Sequence, residues 1–167
     1  LEEAKKQNQK VLLTFGGAFS NHIVAVAGAG KEFGFKTIGI IRGEELQDKI
    51  SENPSLLQAQ QLGMKFAFVT REQYRLKETP DFIEQLQKDY GDFYLLPEGG
   101  TNEYAIKGCE EILTEADAEF THICSSIGTG GTITGIINSS NLKQQIIGFS
   151  SLKGDFLQKD IVKFANK

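Results

Sequence analysis

Apolar residues gather in short, nearly unbroken runs: "VLLTF" (11–15), "TIGII" (37–41), "KFAFV" (65–69), "FYLL" (93–96), "THICS" (121–125) and "QIIGF" (145–149). Most lack the alternation of a half-exposed hairpin, so they predict buried, mainly parallel strands. Between them the spacing turns helical. Asn53 and Thr79 each precede a proline, placing an N-cap residue before the first helical position, and Phe82, Ile83 and Leu86 supply an inward face. Gly63 suits the end of the first of these helices. Residues 101–113, 131–138 and 153–164 also predict helices. "LEEAKKQNQK" (1–10) predicts a helix already under way, with Glu2 and Glu3 early and Lys5, Lys6 and Lys10 late, as the macrodipole favours. The chain opens on Leu1 rather than Met, which suggests a fragment of a longer protein. Strand and helix alternate throughout, implying right-handed crossovers and a doubly wound α/β fold with mainly parallel sheets. "YLLPEGGTNEY" (94–104) is the best lobe boundary, dividing the chain into 1–97 and 98–167.

Composition narrows the picture. With 18 basic and 22 acidic residues the net charge is -4. No Lys/Arg cluster is interleaved with aromatics, which argues against a nucleic-acid partner or an anionic membrane surface. The apolar runs fall far short of the ~20 residues that span a bilayer. No targeting pattern is evident, and two cysteines, Cys109 and Cys124, lack metal-ligand spacing. The expectation is therefore a cytoplasmic chain with buried free thiols and no metal. Glycine, at 18 of 167 residues, exceeds the usual ~7% and clusters where strands turn into helices. Ligands of open α/β sheets collect at those strand ends.

Two such turns carry the candidate chemistry. "SSIGTGGTITG" (125–135) follows one strand run and opens a helical pattern. Gly128, Gly130 and Gly131 permit a tight fold with converging N–H groups, Thr129 and Thr132 add hydroxyls, and the helix contributes its positive end, a combination suited to a phosphate. It is neither a Walker loop nor a G-x-G-x-x-G turn, since Ile133 stands at the third glycine position. A glycine-rich helix entry with no ligand is the plain alternative. "GAGKEFG" (28–34) ends a helix instead of following a strand, so it is read as packing, with Ala25, Ala27 and Gly28 letting that helix approach the sheet. In "TFGGAFSNH" (14–22), Ser20 suits an N-cap, which leaves Asn21 and His22 in the first turn to meet a planar polar ligand or a carboxylate. His22 as a merely satisfied histidine is the alternative, and His122, mid-strand, is read as structural.

Together these stretches resemble fold type II pyridoxal-phosphate-dependent enzymes, specifically the 1-aminocyclopropane-1-carboxylate deaminase and D-cysteine desulfhydrase family. "TFGGAFSNH" is similar to its G-G-x-x-S-N-H/Q turn, "LLPEGGTNEYAIKG" to its P-x-G-G-S/T-N stretch and "SSIGTGGTITG" to its phosphate loop. The resemblance implies a small lobe (1–97) and a partial large lobe (98–167). It implies pyridoxal 5'-phosphate as cofactor, with Asn21 against its ring and 3'-oxygen and Gly128, Thr129, Gly130, Gly131 and Thr132 holding its 5'-phosphate. Ser20 and His22 would face the substrate and its carboxylate as catalytic and substrate-binding residues, with Asn21 and Thr101 also on the substrate side, and Thr101 and Asn102 would lie near the hinge, beside Gly99 and Gly100. Asn21 and the phosphate loop would then converge on one cavity.

The departures bear on activity. The family's Schiff-base lysine lies in an Asn-Lys motif well upstream of the Gly-Gly turn, a position this chain does not reach. Lys5, Lys6 and Lys10 are not promoted to that role. The family's C-terminal tyrosine and ring-nitrogen partner are likewise unmatched by Tyr74, Tyr90, Tyr94 or Tyr104. The resemblance thus implies a deaminase or lyase acting on a small amino acid, possible homodimerisation of the parent protein, and no turnover by this chain alone. A non-catalytic anion-binding α/β module and a nucleotide-binding Rossmann-like domain stay open as alternatives.

Overall fold

The computed structural model describes residues 1–151 and 156–165. They form two compact units, Leu1–Glu98 and Gly99–Lys167. In the first unit four strands, β1 (Val11–Gly16), β2 (Lys36–Arg42), β3 (Lys65–Val69) and β4 (Tyr94–Leu96), make one parallel sheet in the order β3-β2-β1-β4. All four fall where continuous apolar runs predict them. The reason is burial on both faces: Leu12, Ile41 and Met64 join one core cluster with Ile23, Val26 and Ala27 of α2 (Asn21–Phe33) and Leu56 and Ala59 of α3 (Pro54–Gln61). Leu13, Phe15, Ile38 and Ile40 face the other way, against Tyr74 of α4 (Arg71–Arg75) and Leu86 of α5 (Pro80–Tyr90). With no solvent face, β1 and β2 need no polar alternation.

Helix ends follow local chemistry with instructive exceptions. Asn53 accepts from the Leu56 N–H at 3.0 Å, and Pro54 opens α3. Thr79 holds the cap position of α5, but its hydroxyl donates to the Leu76 carbonyl at 2.7 Å and makes no cap bond. The first helix, α1, covers only Glu2–Lys6, since Asn8 takes a left-handed φ of 54° that ends it before Lys10. Close approach of α2 to the sheet falls on Gly30 rather than Gly28. A Cβ at Gly30 would meet the Thr37 side chain, whereas one at Gly28 would meet nothing, and Ala25 is exposed.

In the second unit β5 (His122–Ile127) and β6 (Gln145–Ser150) pair in parallel. Among the described residues three α-helices accompany them: α6 (Glu103–Cys109), α7 (Gly131–Ser139) and α8 (Phe156–Phe164). Of the helix expected over 153–164, residues 153–155 lie outside the described residues. The core gathers Ile127 and Ile133 with Ile137, Ile146 and Ile161. Along β5 the more buried residues 123, 125 and 127 alternate with exposed 122, 124 and 126, so Cys124 is exposed, while Cys109 is half-buried. Both thiols are free, but neither is buried as expected. His122 opens β5 instead of sitting mid-strand, and its exposed Nδ1 lies 2.9 Å from the Thr121 hydroxyl. Among the described residues no helix is long and apolar enough to cross a membrane.

Candidate functional site

Ser20, Asn21 and His22 sit together where β1 gives way to α2. Ser20 is the N-cap: its Oγ accepts from the Ile23 N–H at 3.3 Å, which leaves its own proton available to a ligand. Gly16 makes this turn possible, because a Cβ there would strike the Ile23 side chain and approach Ser20 Oγ at 3.0 Å. Asn21, first residue of α2, is exposed. His22 turns inward, its Nε2 lying 2.7 Å from the hydroxyl of Thr14 on β1. Burial holds the His22 pKa below the usual imidazole value, an effect that the charge of Glu98 partly opposes.

The second cluster belongs to the second unit. Gly130 caps α7 at a φ of 92°, in the left-handed region that glycine alone enters without strain, and Gly131 begins the helix. Thr101 Oγ1 lies 2.6 Å from Thr129 Oγ1, so "GGTN" and "GTGG", 28 positions apart, meet in space. A Cβ on Gly131 would come within 2.8 Å of Thr101 Oγ1, and one on Gly99 would collide with Thr129. Thr134 donates to the Gly130 carbonyl at 2.8 Å, tying the loop to the first turn of α7, and Asn102 caps α6 by accepting from the Ala105 N–H at 2.9 Å. Gly128, Thr129 and Thr132 are exposed, and nothing lies within 4 Å of a Cβ built on Gly128. Room, paired hydroxyls and a nine-residue helix opening at Gly131 suit a phosphate group.

Sequence reasoning overlooked a third group. Tyr74, almost fully buried, donates from its hydroxyl to Glu98 at 2.8 Å, and Lys77 Nζ stands 3.4 Å from the same carboxylate. Arg42 and Lys77 both lie over the Tyr74 ring, at 5.6 and 5.3 Å from its centre. Burial, then the hydrogen bond and charge of Glu98, push the Tyr74 hydroxyl well above its ordinary pKa, so it stays a donor. With Arg71 and Arg75 these residues line a cleft of about 390 Å³. Glu98 stood in plain view inside "PEGG", and Thr14 was a lone hydroxyl in an apolar strand run; both were readable as polar atoms needing partners.

Lys5, Lys6 and Lys10 precede β1, whereas Ser20–His22 follow its other end. The five steps along this six-residue strand, at about 3.3 Å each, put roughly 16 Å between them. Lys5 lies over the Phe33 ring and Lys6 beside Glu3, so neither is directed to the α2 entrance.

Residues 1–161 match the sequence profile of the family described as "Pyridoxal-phosphate dependent enzyme". A putative 1-aminocyclopropane-1-carboxylate deaminase of Thermotoga maritima is 31% identical over 144 residues, covering 81% of this chain and 45% of that protein. The bifunctional D-cysteine desulfhydrase/1-aminocyclopropane-1-carboxylate deaminase, mitochondrial, of Arabidopsis thaliana is 29% identical over 170 residues, covering 90% and 42%. The chain spans about half the length of the curated relatives it matches. Among solved structures, an ACC deaminase homologue superposes with a TM-score of 0.74 at 24% identity, covering 97% of this chain and 51% of that one. Maize serine racemase does so with a TM-score of 0.62 at 20% identity, covering 86% and 42%. These two likenesses bear on the fold alone, and that fold is the type II arrangement. By the profile that spans nearly its whole length, the chain belongs to the pyridoxal-phosphate-dependent enzyme family.

Proposed function

We propose that the protein acts as a pyridoxal-phosphate-dependent deaminase or lyase on a small amino acid of the 1-aminocyclopropane-1-carboxylate or D-cysteine type. The products would be ammonia and a 2-oxo acid, with sulfide as well from D-cysteine. The observation that carries the reading is the opening of α7, where a left-handed Gly130, a Gly131 without room for a Cβ and the Thr101–Thr129 hydroxyl pair frame a loop at a helix N-terminus. The names of its relatives favour the substrate class. Gly128, Thr129, Gly130, Gly131 and Thr132 would hold the cofactor's 5'-phosphate, and Asn21 its ring and 3'-oxygen. When bound, pyridoxal phosphate supplies an electron sink for charge developing beside the substrate's amino group. Ser20 has a proton to donate to a ligand oxygen while its lone pair caps α2, and the positive end of α2 favours a carboxylate there. His22 lines the substrate side.

The test is release of 2-oxo acid and ammonia from D-cysteine and from 1-aminocyclopropane-1-carboxylate, measured with the full coding sequence and with the 167-residue chain. Product from the former, lost on Ser20→Ala or Asn21→Ala while the fold is retained, supports the reading. Turnover indifferent to both substitutions, or none with either substrate, removes it. The chain alone is expected to bind the cofactor reversibly without turnover, since Lys5, Lys6 and Lys10 lie at the wrong end of β1. Borohydride reduction followed by mass spectrometry should therefore find no single stoichiometric adduct on them.

A further inference from the structure

We propose that Thr14 is a positioning residue that fixes His22 as the Nε2–H tautomer, so that the ring offers Nδ1 to the ligand as a hydrogen-bond acceptor. Thr14 is fully buried, and its single hydroxyl proton has two neighbours: the Leu96 carbonyl at 3.1 Å and His22 Nε2 at 2.7 Å. A carbonyl only accepts. If the proton goes to Leu96, Thr14 Oγ1 must accept from Nε2–H, and both contacts become hydrogen bonds. If it goes to Nε2 instead, two oxygens face each other at 3.1 Å with no proton between them. The first arrangement makes both contacts hydrogen bonds, and the second leaves an oxygen–oxygen contact in place of one.

The remaining ring nitrogen is thereby defined. Nδ1 has no hydrogen-bond partner among the described residues, and no fully buried polar side-chain atom there lacks one, so Nδ1 is not sealed from solvent. Its proton is disfavoured twice, by burial of the ring and by the position of His22 in the first turn of α2, where the helix end repels a cation; Glu98 is the charged group that opposes this. A bare lone pair accepts from an N–H and turns away a carboxylate. Resting on the amino-acid-substrate reading above, this assigns His22 to the ligand's ammonium and leaves the carboxylate to Ser20 and the start of α2, reversing the expectation that His22 meets the carboxylate.

Long-range proton–nitrogen correlation spectra of the full protein labelled with 15N-histidine decide it, the His22 ring being assigned by the signals that His22→Gln removes. At neutral pH, His22 Nε2 should resonate in the protonated range and Nδ1 in the unprotonated range, whether or not the protein proves active, so this result is independent of the functional reading. Thr14→Val should mix the tautomers and Thr14→Ser restore the single form, with kcat/KM falling about tenfold in the first and largely recovering in the second, as expected for one lost hydrogen bond. With pyridoxal phosphate present, D-alanine should shift the Nδ1 resonance and propionate should not. An Nδ1–H form in the unsubstituted protein, an unchanged tautomer in Thr14→Val, protonation of Nδ1 by propionate, or no response to either probe would each overturn the assignment.

Discussion

Replacing Gly131 by alanine sets two effects of known size against each other. Alanine in a helix is ordinarily favoured over glycine by about 0.5–1 kcal/mol. Here the added methyl would lie 2.8 Å from Thr101 Oγ1 and 3.4 Å from Thr101 Cβ and Cγ2. Overpacking of this kind costs about 1–3 kcal/mol, and the only yielding atom is a hydroxyl already 2.6 Å from Thr129 Oγ1. Thr101 must rotate, which breaks the pair framing the loop. Since both hydroxyls reach water, that loss adds little, and the net expectation is about 1 kcal/mol of destabilisation at the start of α7. Amide hydrogen exchange along α7 would report it as faster exchange, and a pyridoxal phosphate titration followed by absorbance as weaker binding. Adding Thr101→Ala removes the colliding oxygen and should return most of the exchange protection, giving a coupling energy between the sites. Slower exchange in Gly131→Ala with cofactor affinity unchanged would refute both the packing argument and the phosphate assignment.

Gly135→Ala should cost the second unit about 1–3 kcal/mol, because its Cβ would come within 2.7 Å of the Ile106 carbonyl oxygen and of the Cys109 carbonyl carbon, backbone atoms of α6 that cannot rotate aside; a lowered melting temperature checks it. His22 makes stability depend on pH with a definite sign. Its folded-state pKa lies below the unfolded value of 6.5, so between the two the unfolded chain binds more protons and stability falls as pH drops below 6.5 toward the folded pKa. Urea midpoints measured over this range should show that slope reduced in His22→Gln, and an unchanged slope would show that the imidazole is not held neutral by the fold.

Strand positions in the first unit were legible because Leu12, Leu13, Ile40 and Ile41 are buried on alternate faces of a sheet covered on both sides, which leaves an unmistakable apolar run. The glycine turns were legible for a similar reason. Asn53 announced its cap because the side chain answers a donor three residues away. Thr79 stands in the same local pattern, yet its hydroxyl found the Leu76 carbonyl first, and local pattern does not rank competing partners. Which glycine of "GAGKEFG" touches the sheet depends on how α2 is rotated, which its own residues do not specify; docking chose Gly30 over Gly28. The expectation of buried thiols failed at Cys124 because burial depends on which face of β5 the helices cover, while the run of residues shows only that a strand is there. The Tyr74–Glu98–Lys77 group and the Thr14–His22–Leu96 chain join residues from separate strands and helices. Sequence supplied the donors and acceptors, but hydrogen-bond partnership is a matter of ångströms, and only the parallel register of β1 with β4 and the seating of α2 bring Leu96 and His22 to the same hydroxyl.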